Sequence, residues 1–268
     1  MGKITQEQRN RYFEKVQEHR HTIEAGLAKE KTLLDLVAKD ETGVGYKRLH
    51  LAEEVLDLSS WHLLINALSV SLLGIKNEEY LIEGRKVLVR ALKYLEDTVP
   101  AYIDAPFSDY EKSLDEIKDF DVASRNRLFR KFGYAIQAYE EAFGDNSKYS
   151  MSFIELWGKY TALAKNFVDL RTVMGDLDFN SPVRPVIAAH LALVKSLCQR
   201  CADRYREKYE LYTTKPVDFR QAILFLSALR RLNIALGDRE EAETLKRKID
   251  VWNSKLDADE KKIEEARK

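Results

Sequence analysis

The stretch LSSWHLLINALSVSLLGI, residues 58–75, carries no formal charge between Asp57 and Lys76, and its reading decides the fold. A transmembrane helix needs about 20 mostly apolar residues. This run is shorter and contains Ser59, Ser60, His62, Asn66, Ser69 and Ser71. On a helical wheel Ser59, His62, Asn66 and Ser69 form one neutral polar stripe. Leu58, Trp61, Ile65, Leu68 and Leu72 form the apolar face, which Leu63, Leu64, Val70 and Leu73 widen. Upstream, YKRLHLAEEVLD (46–57) continues the helical pattern with charges and offers no interfacial anchor. The run is therefore expected to be a central helix wrapped by neighbouring helices, with no membrane involved.

A buried polar stripe needs partners, because each unpaired group costs about 1–3 kcal/mol. An antiparallel hairpin around Gly43 sets Arg20 and Glu24 level with Asn66 and His62. Arg20 also interrupts the apolar seam of the preceding helix. The stripe is then either a hydrogen-bond network that fixes helix pairing or a small polar ligand site built from Arg20, His62, Asn66 and Ser69.

Outward from this segment, helix signals continue. Thr5 caps a first helix to Lys39, with Phe13, Val16, Ile23, Leu27, Leu34 and Val37 in heptad spacing, a seam that also admits self-association. Arg20 and Glu30 fall within it. The second helix ends at Gly74. Asn77 caps a third, with Leu81, Gly84, Leu88, Ala91, Leu95 and Val99 on one face. The connection at 100–108 contains Pro100 and Pro106 and is the one candidate subdivision of a single domain, 1–268. SDYE (108–111) reads as a capping box. Phe129, Phe132, Ile136, Tyr139 and Phe143 mark an amphipathic run from 122 to 143. SFIE (152–155) opens a helix whose heptad Leu156, Tyr160, Leu163, Phe167, Leu170, Met174 closes at Gly175. Ser181-Pro182 starts the next, which reaches Tyr212. Pro216 and Asp218 begin another that ends at Gly237. Asp238 with Glu241 caps the last, and the charged tail DEKKIEEARK is expected to fray.

Eleven Gly and five Pro are few for 268 residues, which favours long helices over strands. Lys plus Arg equal Asp plus Glu at 44 each, so no basic footprint points to nucleic acid or an anionic membrane as partner. Two cysteines exclude a disulfide scaffold. MGKITQEQRN has no apolar leader core, so a cytoplasmic location is expected.

LNIALGDREEAETLKRKI, residues 232–249, resembles the turn and second helix of a tetratricopeptide repeat through Leu236, Gly237, Asp238, Glu241 and Ala242. Ile249 stands where such repeats place another small residue, and no proline follows. The resemblance implies helix-pair packing and a peptide-binding role.

Each chemical motif is incomplete. Cys198-x-x-Cys201 is half a zinc site and lies late in a helix, on the stripe of Val194, Tyr205, Tyr209 and Tyr212, where cysteine packs as a small hydrophobe. Glu18-x-x-His21 has di-iron spacing but no second copy, and His50, Glu54 and Asp57 are out of register with it. GVGYK (43–47) lacks the strand and spacing of a phosphate loop. Arg85–Lys93, Arg125–Lys131 and Arg200–Lys208 gather basic residues among acidic ones. No catalytic residue, metal or cofactor site is assigned.

The expectation is an all-α protein of eight or nine antiparallel helices, a multi-helix bundle or a short irregular α-α hairpin solenoid. Its expected role is a non-enzymatic scaffold or adaptor for a protein partner. The alternative is a small-molecule-binding or metal-dependent helical enzyme with its site between helices 1 and 2.

Overall fold

The computed structural model describes residues 4–40, 42–145 and 147–266. The protein is all-α: α1 (Gln6–Lys39), α2 (Val44–Leu73), α3 (Glu78–Glu96), α4 (Glu111–Glu116), α5 (Val122–Phe143), α6 (Ser150–Asn166), α7 (Val173–Asp176), α8 (Arg184–Glu207), α9 (Pro216–Ala235) and α10 (Arg239–Ala266). A 3-10 turn covers Phe107–Asp109 and a π-helical turn Lys208–Thr213, and no strand occurs among the described residues.

The chain folds into two compact units. The first comprises Met1–Val99, Asp115–Phe120 and Arg127–Ser150; the second comprises Pro100–Leu114, Asp121–Asn126 and Met151–Lys268. In the first, Thr5 makes a reciprocal capping box with Gln8, and Gly74 ends α2 in the left-handed region at φ 67°. Helices α1 and α2 are antiparallel and close to the expected register, with Gly26 against Leu58 and Lys29 Nζ 2.7 Å from Glu54. Tyr12, Val16, Ile23 and Ile65 form their shared core. Of the expected seam, Phe13, Leu27 and Leu34 are exposed. The inward face is rotated towards Glu30, which is buried and takes Arg90 Nε at 2.6 Å, Arg90 Nη2 at 2.9 Å and the Tyr94 hydroxyl at 2.6 Å. Glu30, a misfit in an apolar seam, is thus the fastening point between α1 and α3.

In the second unit α9 runs antiparallel to α8 and α10. Asp203 on α8 is 3.4 Å from Lys248 on α10, and Lys195 is 3.3 Å from Asp238. The core is built from Tyr160, Leu163, Val194, Phe219, Leu226 and Trp252. Gly237 turns α9 into α10 at φ 79°, and Ala242 is buried, as the repeat-like hairpin requires.

Five local expectations are corrected. Ser108 does not cap a helix: its hydroxyl bonds Asp109, the 3-10 turn takes 107–109, and α4 starts after Tyr110, whose carbonyl accepts from Leu114 N at 3.1 Å. The heptad of α6 stops at Asn166. The buried Asn166 amide donates to the carbonyls of Pro100 at 2.6 Å and Tyr102 at 3.2 Å, and Arg125 donates to the Phe167 carbonyl at 3.1 Å. These bonds take the chain off the helical ladder, and Met174 ends up exposed. Helix α8 begins at Arg184 with Pro185 in its first turn, later than Pro182 predicts. The π-helical turn shifts the phase of the preceding stripe, so Tyr209 stays buried while Tyr212 emerges. The charged tail remains helical to Ala266, fastened where Tyr209 donates to Asp259 at 2.9 Å; Arg267 and Lys268 lie outside the described residues.

Candidate functional site

The predicted polar stripe of α2 is that helix's most deeply buried face. Ser59, His62, Asn66 and Ser69 are all buried, whereas Leu64 and Val70 on the flank are exposed. By length and composition α2 alone among the described residues could cross a membrane, and 44% of its most apolar window is buried inside the protein. The stripe faces α3 and α5. Its small residues let α3 approach, and Gly84 lies so close that an added Cβ would stand 2.6 Å from the His62 Cβ.

The polar atoms find local partners. Ser59 Oγ donates to the Leu56 carbonyl at 2.6 Å, and His62 Nδ1 lies 2.9 Å from the Leu58 carbonyl. The Tyr139 hydroxyl of α5 donates to the Ser59 carbonyl. Asn66 Oδ1 accepts from the backbone N–H of Asn77 at 2.9 Å, and the Asn77 amide donates to the Tyr12 hydroxyl at 2.9 Å. Asn66 therefore anchors the start of α3. Arg20 is exposed and does not join it; its charge acts instead on the Tyr80 phenol. The structure thus brings His62, Asn66 and Ser69 together and leaves Arg20 apart. The correction follows from the rotation of α1, which offers Tyr12 to this end of α2.

Histidines deep in each unit behave alike. His190 Nε2 lies 2.9 Å from the Ala164 carbonyl. Burial lowers the pKa of both His62 and His190 below the ordinary 6.5, against the opposing pull of the carbonyl each one bonds. Each is neutral in the folded chain and takes up a proton more readily when unfolded. Their contribution to stability is complete above pH 6.5 and is lost as pH falls from that value through the lowered pKa values of the folded chain. The melting temperature should drop as pH falls below about 6.5, each histidine adding up to about 1.4 kcal/mol per pH unit. His190→Gln should flatten that slope in thermal unfolding; an unchanged slope would refute the assignment.

The other motifs resolve into packing and surface pairs. Cys198 and Cys201 are buried free thiols; burial pushes both pKa values up, that of Cys201 to about 11, which suppresses the reactive thiolate. Glu18 pairs with Lys15 at 2.7 Å, and His21 faces Glu24 at 3.6 Å on an exposed surface. His50 lies 3.8 Å from Glu54. No group of three His, Cys, Asp or Glu able to hold a metal occurs among the described residues. Several basic residues meet internal partners: Arg200 stacks 3.8 Å over the Trp157 ring, and Lys131 pairs with Glu53 at 2.6 Å.

One corner of the second unit stands apart. Where α8 passes through the π-helical turn into α9, Lys208 is 8% exposed and Asp218 6%, and Lys208 Nζ lies 2.9 Å from Asp218. Glu155 of α6 lies 3.1 Å from the same amine, and the Thr213 hydroxyl donates to Asp218 at 2.6 Å. Burial lowers the Lys208 pKa, but the hydrogen bonds of Asp218 and Glu155 outweigh it and hold the amine above its ordinary value. Thr214 follows at φ 51°, the one described non-glycine residue in the left-handed region. Tyr209 stacks flat on Phe219 at 4.9 Å, which in turn meets Trp252 at 5.5 Å. Above this fixed base Leu211, Tyr212 and Val217 are 70%, 66% and 54% exposed. Sequence reasoning placed Tyr212 in the core. The available signal was Thr213-Thr214-Lys215 before Pro216, a break too short for a regular helix end.

Comparison with known proteins adds one assignment. No curated protein and no solved structure matches the chain. A family model matches residues 8–260, almost the whole length, and the chain belongs to the TP0443 family.

Proposed function

We propose that this protein is a non-enzymatic helical scaffold that receives a protein partner at the α8–α9 corner of its second unit. The observation that carries this reading is the exposure of Leu211, Tyr212 and Val217 over a buried ion pair. Large apolar and aromatic side chains held on a fixed base are the usual anchors of protein interfaces. π-Helical turns and left-handed non-glycine residues concentrate at functional sites, because their strain persists only where the surroundings enforce it. The repeat-like hairpin of α9 and α10 supports the same reading, since stacked helix pairs commonly bind peptides.

The test is photo-crosslinking in the source cell. A benzophenone amino acid at Tyr212 should yield one discrete crosslinked protein, and the same group at the exposed Asn253 should yield none. Leu211→Ser with Val217→Ser should abolish the crosslink while leaving the helical circular-dichroism signal intact. A crosslink to a second copy of this chain would replace the adaptor role with self-assembly, and absence of any product at Tyr212 would overturn the reading.

A further inference from the structure

A second feature of the same unit lies away from that corner. A cavity of 390 Å³ opens between the end of α6, the segment around Ala105, and helices α8 and α9. Phe107, Tyr110, Val168, Leu170, Val194 and Leu232 give it apolar walls. Two cations line it, Lys165 and Arg231, against one carboxylate, Asp104. Among the described residues neither cation forms an ion pair. The Lys165 amine donates to Asn166 Oδ1 at 2.9 Å and to the Ala105 carbonyl at 3.4 Å, and lies 5.8 Å from the Tyr110 ring centroid. An ammonium has three N–H groups, so one remains for a guest.

We propose that this cavity binds a small apolar monocarboxylate, its hydrocarbon body against Tyr110, Val194 and Leu232 and its carboxylate between Lys165 and Arg231. The surplus positive charge selects an anion, and the apolar walls select an acid with a hydrocarbon tail over a polar one. A half-buried amine held by neutral oxygens alone is the group that gains most from an incoming carboxylate. Burial first, and then the Arg231 guanidinium, push the Lys165 pKa down to about 8, whereas the Asp104 carboxylate pulls it up. A bound carboxylate raises it further. While the acid itself is ionised, affinity is therefore full up to about pH 8 and declines as Lys165 loses its proton above that value.

Titration calorimetry on the full chain with octanoate and with octanol tests the proposal. Octanoate should bind saturably at pH 7, and octanol about tenfold to a hundredfold more weakly, the range expected for one charge-assisted contact. Lys165→Met should reduce that preference to what Arg231 alone supports and remove the pH dependence, with the helical signal unchanged. Arg231→Gln alters an exposed residue and supplies a second variant for which octanoate should weaken and octanol should not. Equal affinity for the acid and the alcohol, wild-type affinity in Lys165→Met, or no saturable octanoate binding would each overturn the assignment.

Discussion

Lys208→Met should lower stability more than any other single change at the α8–α9 corner. It removes the ammonium that lies 2.9 Å from the buried Asp218 and leaves that carboxylate with the Thr213 hydroxyl. Removing one partner of a buried ion pair costs about 3–5 kcal/mol, because the remaining charge stays desolvated and uncompensated. For a chain of this size the melting temperature should fall by roughly 6–15 °C. Lys208→Met with Asp218→Leu should recover most of the loss, since apolar groups of similar volume often replace a buried pair at little cost. A single variant that melts with the wild type would show that the pair is solvated and that the exposed residues above it have no fixed base.

Gly84→Ala should produce the second large effect, in the other unit. The added methyl would stand 1.9 Å from the Tyr139 oxygen, 2.8 Å from its Cζ and 2.6 Å from the His62 Cβ. Tyr139 is buried and cannot withdraw without giving up its hydrogen bond to the Ser59 carbonyl. Overpacking costs about 1–3 kcal/mol, and the lost hydrogen bond adds about 1 kcal/mol. Tyr139→Phe in the same chain removes the closest atom, so the double variant should lose less than the two single losses added together. Additive losses in chemical denaturation would refute this coupling.

The positions of most helices could be read from local signals. The Thr5 box, Gly74, Asn77, Pro216 and Gly237 all stand where the helices begin or end. Their rotations could not, because those depend on residues far apart in the chain. The stripe of α2 was visible as Ser59, His62, Asn66 and Ser69, but what turns it towards α3 is the absence of a side chain at Gly84 and the reach of Tyr139. Glu30 and Arg90 were each noticed, one as a seam misfit and one in a basic run, and nothing local says that they meet. The end of α6 escaped for a similar reason. Its heptad continues in sequence, whereas Asn166 is drawn away by the carbonyls of Pro100 and Tyr102. Lys165 carries no local signal, because the groups around it come from four separate segments.

The order in which the two units take up the chain has a consequence for dissecting the protein. Each is assembled from three separated pieces, and α5 is divided between them at Asn126 and Arg127. No single peptide-bond cleavage yields two self-sufficient fragments. A chain stopped at Val99 lacks Tyr139 and Phe132 and so bares the flank of α2 and α3 that α5 would cover, while a chain begun at Pro100 carries those aromatic residues with nothing of their own unit to meet. A cut between Val99 and Pro100 therefore parts the pieces of the first core, while every piece of the second stays on one side of it, entangled with the stranded remainder of the first.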